Sequence, residues 1–337
     1  MNRVNIILAT YNGEKYIREQ LESIVQCNYK NWKLWIFDDG SNDDTHCIIE
    51  EYICKYPDKI SFHRNTGNKG VTRNFLEGVQ IAAEQNGRIR EESDTFGEDT
   101  ISVSDDDSEP QKIIDYYMFC DQDDVWMTDK IDKTMMHMKK EEKKHGENTP
   151  VAVFTDALVV DNDLNVLYRS FHKCNNLDTK KVDLPHIMME NKLIGCTIMF
   201  NESLRKIMCV QPDNARYHDW WVAMIAAAFG RISYLPAVTL FYRQHGGNVV
   251  GNQNFFTYVN DRLSSLQQQK EVIYKTALQA GEFYNMYEAD MPARVKKQVY
   301  LMANMFDHSW FMRRHLVLKF GFMKTGVLRN LGLLIVL

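Results

Sequence analysis

Short apolar runs alternate with amphipathic stretches through the first part of the chain, and this alternation limits the fold it can adopt. Residues 4–9, 32–37 and 60–63 are apolar runs that predict buried strands. Between the first two, apolar residues recur at helical spacing, as at Ile17, Leu21 and Ile24. Strands that alternate with helices indicate an α/β fold with a doubly wound, mostly parallel, Rossmann-like sheet.

Polar residues follow the predicted strands directly. Tyr11 follows the first strand, Asp39 follows the second, and Asp121 follows a further apolar run at residues 116–119. Ligands of open α/β sheets bind beyond the carboxyl ends of the strands. We therefore expect these three residues to lie at one edge of the sheet.

The densest group of acids begins at that last strand end. Asp121, Asp123 and Asp124 fall within four positions, with Gln122 between them. Clustered carboxylates supply the hard oxygen ligands that Mg²⁺ and Mn²⁺ prefer. An isolated pair of aspartates is more often a solvated turn, so the acids alone leave both alternatives open.

Bulk properties exclude several classes of protein. The chain has 337 residues and a formal net charge of -5, which argues against a nucleic-acid binder. Its seven cysteines are irregularly spaced and favour reduced thiols in a cytosolic protein. There is no signal-peptide pattern and no apolar stretch near the ~20 residues of a membrane span. We expect a cytoplasmic protein, with peripheral contact to the inner face of the membrane left open.

Two segments depart from the α/β pattern. Residues 88–111 hold nine acidic residues and two arginines, and they predict a flexible acidic insertion. The pattern from residue 255 onward is helical, so we divide the chain into a domain at 1–254 and a helical region at 255–337. Beyond Asp307 this region is basic and amphipathic. Such a tail either lies on an anionic membrane or packs on the core.

Six short motifs occur in one order between residues 4 and 251. Together they make the chain resemble the inverting, GT-A type glycosyltransferases of family 2, and within that family the bacterial rhamnosyltransferases of surface polysaccharide synthesis. The motifs are residues 9–13, 38–43, 65–75, 121–126, 218–221 and 242–249.

The resemblance implies transfer of a sugar from a nucleotide-diphosphate donor to an acceptor hydroxyl. Asp219 would be the catalytic base, although an aspartate at the start of a helix can also be only its N-cap. Asp123 and His245 would hold Mn²⁺ or Mg²⁺. The residues implied for nucleotide-sugar binding are Ala9, Thr10, Tyr11, Asp39, Asn68, Asp121, Gln122, Trp220 and Arg243.

The resemblance also suggests the partners. The donor would be dTDP-L-rhamnose, and the acceptor a glycan or a lipid-linked sugar of surface polysaccharide synthesis. Two alternatives remain open at this stage. One is a nucleotidyltransferase on a similar sheet, and the other is a non-catalytic, membrane-associated scaffold.

Overall fold

The computed structural model describes residues 1–97, 113–208, 212–244 and 266–337. Its first half contains a parallel sheet in the order β3-β2-β1-β4. These strands are β1 (Asn2–Thr10), β2 (Trp32–Asp38), β3 (Ile60–Arg64) and β4 (Ile114–Asp121). The connecting helices are α1 (Ile17–Val25), α2 (Thr45–Lys55) and α3 (Val71–Gly97). The predicted α/β, GT-A type order of elements is confirmed here.

The sheet continues beyond β4 with mixed pairing. Strand β8 (Ile198–Asn201) lies antiparallel between β4 and β6 (Val151–Val160), and β9 (Arg231–Arg243) runs parallel to β6. The short strands β5 (Val125–Trp126) and β7 (Val166–Tyr168) pair with β9 and β6. Intervening helices are α4 (Lys130–His145), α5 (Phe171–Cys174), α6 (Leu184–Met189), α7 (Glu202–Ile207) and α8 (His218–Phe229).

Both faces of the sheet are buried, as a doubly wound sheet requires. Successive side chains of a strand point to opposite faces. In β1, Ile7 therefore joins a core cluster with Trp35 and Phe119, whereas Ile6 and Leu8 join a second cluster on the other face. This two-sided burial explains why β1 reads as a continuous apolar run.

Helix α3 extends into the segment at residues 88–111, which the sequence predicts to be a flexible insertion. Helix α3 continues through residue 97, and residues 98–111 lie outside the described residues. Phe75, Leu76 and Val79 anchor the start of this helix in the core. Once a helix is nucleated, each further hydrogen bond requires the ordering of only one more residue, so a polar extension can stay helical.

The C-terminal region is helical over its described residues. It contains α9 (Leu266–Tyr287), α10 (Ala293–Ala303), α11 (Trp310–Phe320) and α12 (Val327–Val336). Buried side chains of this region, including Phe283, Val317 and Leu333, share one hydrophobic cluster with Trp221. The tail therefore packs on the core. Among the described residues, no helix is long and apolar enough to cross a membrane.

Candidate active site

A cavity of about 670 Å³ opens at the carboxyl ends of the parallel strands. Its other walls include the start of α8, the loop that follows α6, and the C-terminal region. The predicted site residues found on its walls are Ala9, Thr10, Tyr11, Asp39, Asn68, Asp121, Gln122, Asp123, Asp219 and Trp220. One surface therefore collects residues that lie more than 200 positions apart.

The register of β1 explains why the first of these residues meet. Thr10 pairs with Asp38 of β2, and Ala9 pairs with Asp121 of β4. The three central strands thus end at the same level of the sheet. The expected juxtaposition of Tyr11, Asp39 and Asp121 at one edge is borne out by this pairing.

Asp39 is buried and organises the loop that follows β3. Its carboxylate accepts hydrogen bonds from the Asn65 side chain (2.9 Å), the Lys69 backbone N–H (2.8 Å) and the Gly70 backbone N–H (2.9 Å). Asn68 belongs to the same loop and lines the cavity. A carboxylate has about four acceptor positions, so Asp39 can accept a further hydrogen bond from a ligand.

Gln122 fixes the turn after β1. Its Oε1 accepts from the Thr10 hydroxyl (2.6 Å) and the Tyr11 N–H (2.9 Å), and its Nε2 donates to the Tyr11 carbonyl (3.2 Å). A Cβ at Gly13 would lie 2.4 Å from Gln122 Oε1, so only glycine fits there without displacing the side chain. Hydrogen bonds of Gln122 thus connect the acidic motif at residues 121–126 to the motif at residues 9–13.

The acidic motif divides into cavity-facing and buried carboxylates. Asp121 and Asp123 line the cavity, whereas Asp124 is buried and accepts from the Arg243 N–H (3.2 Å). Burial, followed by the negative charges of Asp123 and Asp219, raises the pKa of Asp121 to about 7. Within the described part of the chain, no hydrogen-bond partner is found for the buried Oδ2 of Asp124.

These carboxylates fit a hard divalent cation. Ligand atoms of Asp121, Asp124 and Cys196 lie within 4.8 Å of one another. A cation would relieve both the mutual repulsion of the acids and the unsatisfied Asp124 oxygen. Burial raises the pKa of the Cys196 thiol well above its ordinary value, so this sulfur stays protonated and is a poor ligand for Mn²⁺ or Mg²⁺.

Cys196 was missed by sequence analysis, because it lies far from the acids along the chain and no motif marks it. The other predicted ligand, His245, lies outside the described residues. The assignment of Asp123 as a metal ligand stays a prediction.

Arg243 does not line the cavity with the other predicted donor-binding residues. Its guanidinium is buried and donates to the carbonyls of Asp123 (2.9 Å) and Asn162, and it pairs with Glu19. The family resemblance implied that Arg243 binds the donor. In the structure its guanidinium forms hydrogen bonds with other residues of the protein, and one of these supports the backbone of the acidic motif.

Asp219 is the second residue of α8, and the N-cap position belongs to Tyr217. The alternative that Asp219 only caps this helix is therefore wrong. Its Oδ1 accepts from the Trp220 N–H (2.6 Å). Although backbone hydrogen bonds and the helix N-terminus favour the carboxylate, burial raises the pKa of Asp219 to about 7.

The neighbours of Asp219 hold it in position. Trp220 lines the cavity and donates through Nε1 to the Ile187 carbonyl (2.6 Å), whereas Trp221 is buried in the core. His218 stacks on Phe75 with ring centroids 3.9 Å apart. Burial lowers the pKa of His218 to about 3, so its ring is neutral and adds no charge beside Asp219.

Comparisons with known proteins agree with this arrangement. Residues 5–113 match the family model "Glycosyl transferase family 2". The chain is 27% identical over 256 residues to the dTDP-rhamnosyl transferase RfbG of Shigella flexneri, covering 72% of this chain and 73% of that protein. It is 26% identical to the uncharacterized glycosyltransferase RT0329 of Rickettsia typhi, covering 64% of this chain and 56% of that protein.

A solved structure shows a similar fold. The S. aureus TarS 1-349 structure in complex with UDP-GlcNAc aligns with a TM-score of 0.52 at 14% identity, covering 95% of this chain and 80% of that chain. At this identity the likeness concerns the fold alone. Together with the family match, it confirms the resemblance to family 2 and the GT-A type fold.

The raised pKa of Asp219 predicts a pH-dependent cost in stability. An unfolded aspartate titrates near pH ~3.9, whereas the folded group holds its proton up to about pH 7. Stability is therefore lost as the pH rises between these values, because the unfolded chain ionises first. Asp219→Asn removes the ionisable group, so this pH-dependent loss of stability should disappear. Its stability relative to the wild type should increase by about 1 kcal/mol or more between pH 4.5 and pH 8, measured by urea unfolding.

Asp58→Asn is the matched control, because Asp58 is an exposed aspartate away from the cavity. The gain in its stability relative to the wild type over the same pH range should be smaller than that of Asp219→Asn. Parallel curves for Asp219→Asn and the wild type would contradict a raised pKa at this position.

Proposed function

We propose that this chain, which carries a family 2 glycosyltransferase domain, transfers a sugar with inversion from a nucleotide-diphosphate donor to an acceptor hydroxyl. Asp219 is the proposed base, and Asp123 and His245 are the proposed ligands of Mn²⁺ or Mg²⁺. Asp121, whose oxygen lies near those of the same acidic motif, is a further candidate ligand. The donor is proposed to be dTDP-L-rhamnose, which the 27% identity to a dTDP-rhamnosyl transferase supports.

One observation carries the proposal: Asp219 shares a cavity with Asp121 and Asp123, and its pKa lies near neutrality. A general base works best when its pKa lies close to the working pH. The base must take the proton of the acceptor hydroxyl while the acceptor oxygen attacks the anomeric carbon. A carboxylate on the cavity wall beside the acidic motif is suited to this step.

The strand-end residues are proposed to hold the donor. Asp39 and the loop at residues 65–70 would contact the nucleotide base, and Tyr11 would flank it. A divalent cation would neutralise the charge that develops on the leaving diphosphate. The chain's own part is to keep Asp121 and Asp123 in place, through Gln122 on one side and Arg243 on the other.

A donor panel tests this function. The full chain should hydrolyse or transfer the sugar of dTDP-rhamnose in preference to UDP-GlcNAc and GDP-mannose, with Mn²⁺ present and with loss of turnover in EDTA. Donor consumption is followed by release of nucleoside diphosphate. If no donor is consumed and EDTA leaves nucleotide binding unchanged, the proposal fails. Preference for another donor would overturn only the choice of rhamnose.

The role of Asp219 is tested by Asp219→Asn. Loss of a general base costs about 10²–10⁴-fold in rate, so kcat should fall by that factor while the affinity for the nucleotide changes little. Nucleotide affinity is measured by calorimetry in the presence of Mn²⁺. Full transfer activity, or an equal loss of binding and transfer, would mean that Asp219 is not the base.

We further propose that the exposed surface of α11 and α12 lies on an anionic membrane. Its apolar residues Phe311, Leu328 and Ile335 are 79%, 66% and 68% exposed. Residues 308–337 contain five Lys and Arg and no acidic residue. Exposed aromatic and aliphatic side chains beside cations match the chemistry of an anionic lipid interface.

Vesicle flotation tests this surface without truncating the packed helices. The full chain should float with phosphatidylglycerol vesicles, and the double variant Phe311→Ser, Leu328→Ser should largely remain at the bottom. Met136→Ser is the control, since Met136 is equally exposed on α4, outside this surface. Equal flotation of the double variant and the wild type would refute the membrane contact.

A further inference from the structure

We propose that the loop at residues 190–195 holds the proposed base, Asp219, in position, and that His172 in turn fixes this loop. The proposal rests on the proposed transferase function, in which Asp219 is the base. The residues that carry it are Asn191, Gly195 and His172, none of which lies in the sequence motifs. Asn191 and His172 are positioning residues, since they act through Asp219.

Asn191 connects the loop to the proposed base. Its Nδ2 donates to the Leu193 carbonyl (2.9 Å), and its Oδ1 accepts from the Leu193 N–H (3.0 Å). The same side chain forms a hydrogen bond with Asp219. A primary amide has two N–H donors, so one serves Leu193 and the other serves the carboxylate. Asn191 thereby links the conformation of its own loop to the orientation of Asp219.

Gly195 brings the end of the loop against the start of α8. Its backbone N–H forms a hydrogen bond with Asp219. A Cβ at Gly195 would lie 2.6 Å from His218 Nε2 and 3.6 Å from the Asp219 Cβ. The loop approaches α8 this closely because residue 195 has no side chain. A displacement of the loop would therefore change the surroundings of Asp219 directly.

His172 attaches the middle of the loop to the sheet. This buried residue of α5 places Nδ1 3.0 Å from Asp156 Oδ1 of β6, and Nε2 2.9 Å from the Lys192 carbonyl oxygen. Carboxylate and carbonyl oxygens only accept hydrogen bonds, so each ring nitrogen donates here. Because Lys192 follows Asn191 in the chain, the ring determines where Asn191 lies relative to β6.

Asp156 is the fixed point to which His172 is bonded. Its carboxylate also accepts from the Ser170 hydroxyl, the Phe171 N–H (3.0 Å) and the Ala157 N–H (2.9 Å). Although burial raises its pKa, the hydrogen bonds from His172 and Ser170 lower the pKa of Asp156 to about 2. The group is therefore ionised near neutral pH. A charged acceptor strengthens the hydrogen bond that orients the imidazole.

The loop is also tied to the C-terminal region. Glu190, its first residue, pairs with Lys192 and with Arg329 (2.8 Å), and it accepts from the Thr325 N–H (2.8 Å). Thr325 and Arg329 belong to the turn at residues 324–330. The loop is thus held both on the side of the sheet and on the side of the C-terminal helices, so a change at either place should reach the proposed base.

Asn191→Leu tests the contact with the proposed base, because it removes the amide and keeps a side chain of similar size. The kcat for consumption of dTDP-rhamnose should fall about tenfold, since the base is no longer held in its orientation. The affinity for dTDP with Mn²⁺, measured by calorimetry, should change by less than about twofold, because the residues at the strand ends are unaltered.

The titration of the Asp219 carboxyl group is a second readout, and it needs no donor. Hydrogen bonds to a carboxylate favour its charged form, so their loss raises its pKa. In ¹³C NMR spectra, assigned with Asp219→Asn, the midpoint of Asp219 should therefore lie at a higher pH in Asn191→Leu than in the wild type. His172→Phe should shift the midpoint in the same direction, because the loop transmits its effect.

His186→Phe is the matched control. His186 also pairs with an aspartate, Asp183 (2.7 Å), but it belongs to α6 and lies outside the described lining of the cavity. This variant should keep the kcat and the Asp219 midpoint of the wild type. An effect as large as that of His172→Phe would overturn the role of His172.

The outcomes separate the positioning role from the proposed function. An unchanged kcat and midpoint in Asn191→Leu, or an equal loss of dTDP binding and turnover, would overturn the positioning role of the loop. If the wild type consumes no donor, the proposed function fails, and the NMR midpoint then decides by itself whether the loop holds Asp219.

Discussion

The pairing of β1 between β2 and β4 is the constraint on which the candidate site depends. This register aligns Thr10 with Asp38 and Ala9 with Asp121, so that three chain segments leave the sheet at one level. A shift of one residue would turn the apolar side chains of β1 to the wrong core. Because both faces of β1 are buried, packing fixes the register, and the register in turn fixes where the acids meet.

The site concentrates electrostatic cost that the rest of the fold must offset. Asp121 and Asp219 are held where burial disfavours their charged forms, and Asp124 keeps one oxygen unsatisfied. Buried carboxylates of this kind lower the stability of a fold. They are common at sites that bind a ligand. Arg243 contributes to the support of this site, because its guanidinium donates to the backbone carbonyl of Asp123 within the acidic motif.

The sequence predicted the parts of the site that depend on local pattern. Strand ends follow from apolar runs and turn residues, which is why Tyr11, Asp39 and Asp121 could be placed at one sheet edge. The positions of Cys196 and Arg243 depend on long-range packing, which the local pattern does not reveal. Cys196 lies in the turn directly before β8, and the pairing of β8 with β4 brings it close to the acids. Arg243 bonds with Asn162 and Glu19 and does not line the cavity. The helix at the start of the segment at residues 88–111 was not predicted, because the composition of this segment is polar. The segment is helical because it continues α3, whose first turns pack in the core.

Glu190 has a consequence for how such chains can be recombined. It joins Lys192 of one loop to Arg329 and Thr325 of the C-terminal region, so these two segments form one electrostatic unit although 135 positions separate Glu190 from Thr325. A chimera that exchanged only the C-terminal helices would replace Arg329 and Thr325 but keep Glu190 and Lys192. It could therefore leave a buried carboxylate or cation without its partner. Exchange of the loop and the turn together keeps the charges matched, which makes the pair, and not either segment alone, the transferable module of this fold.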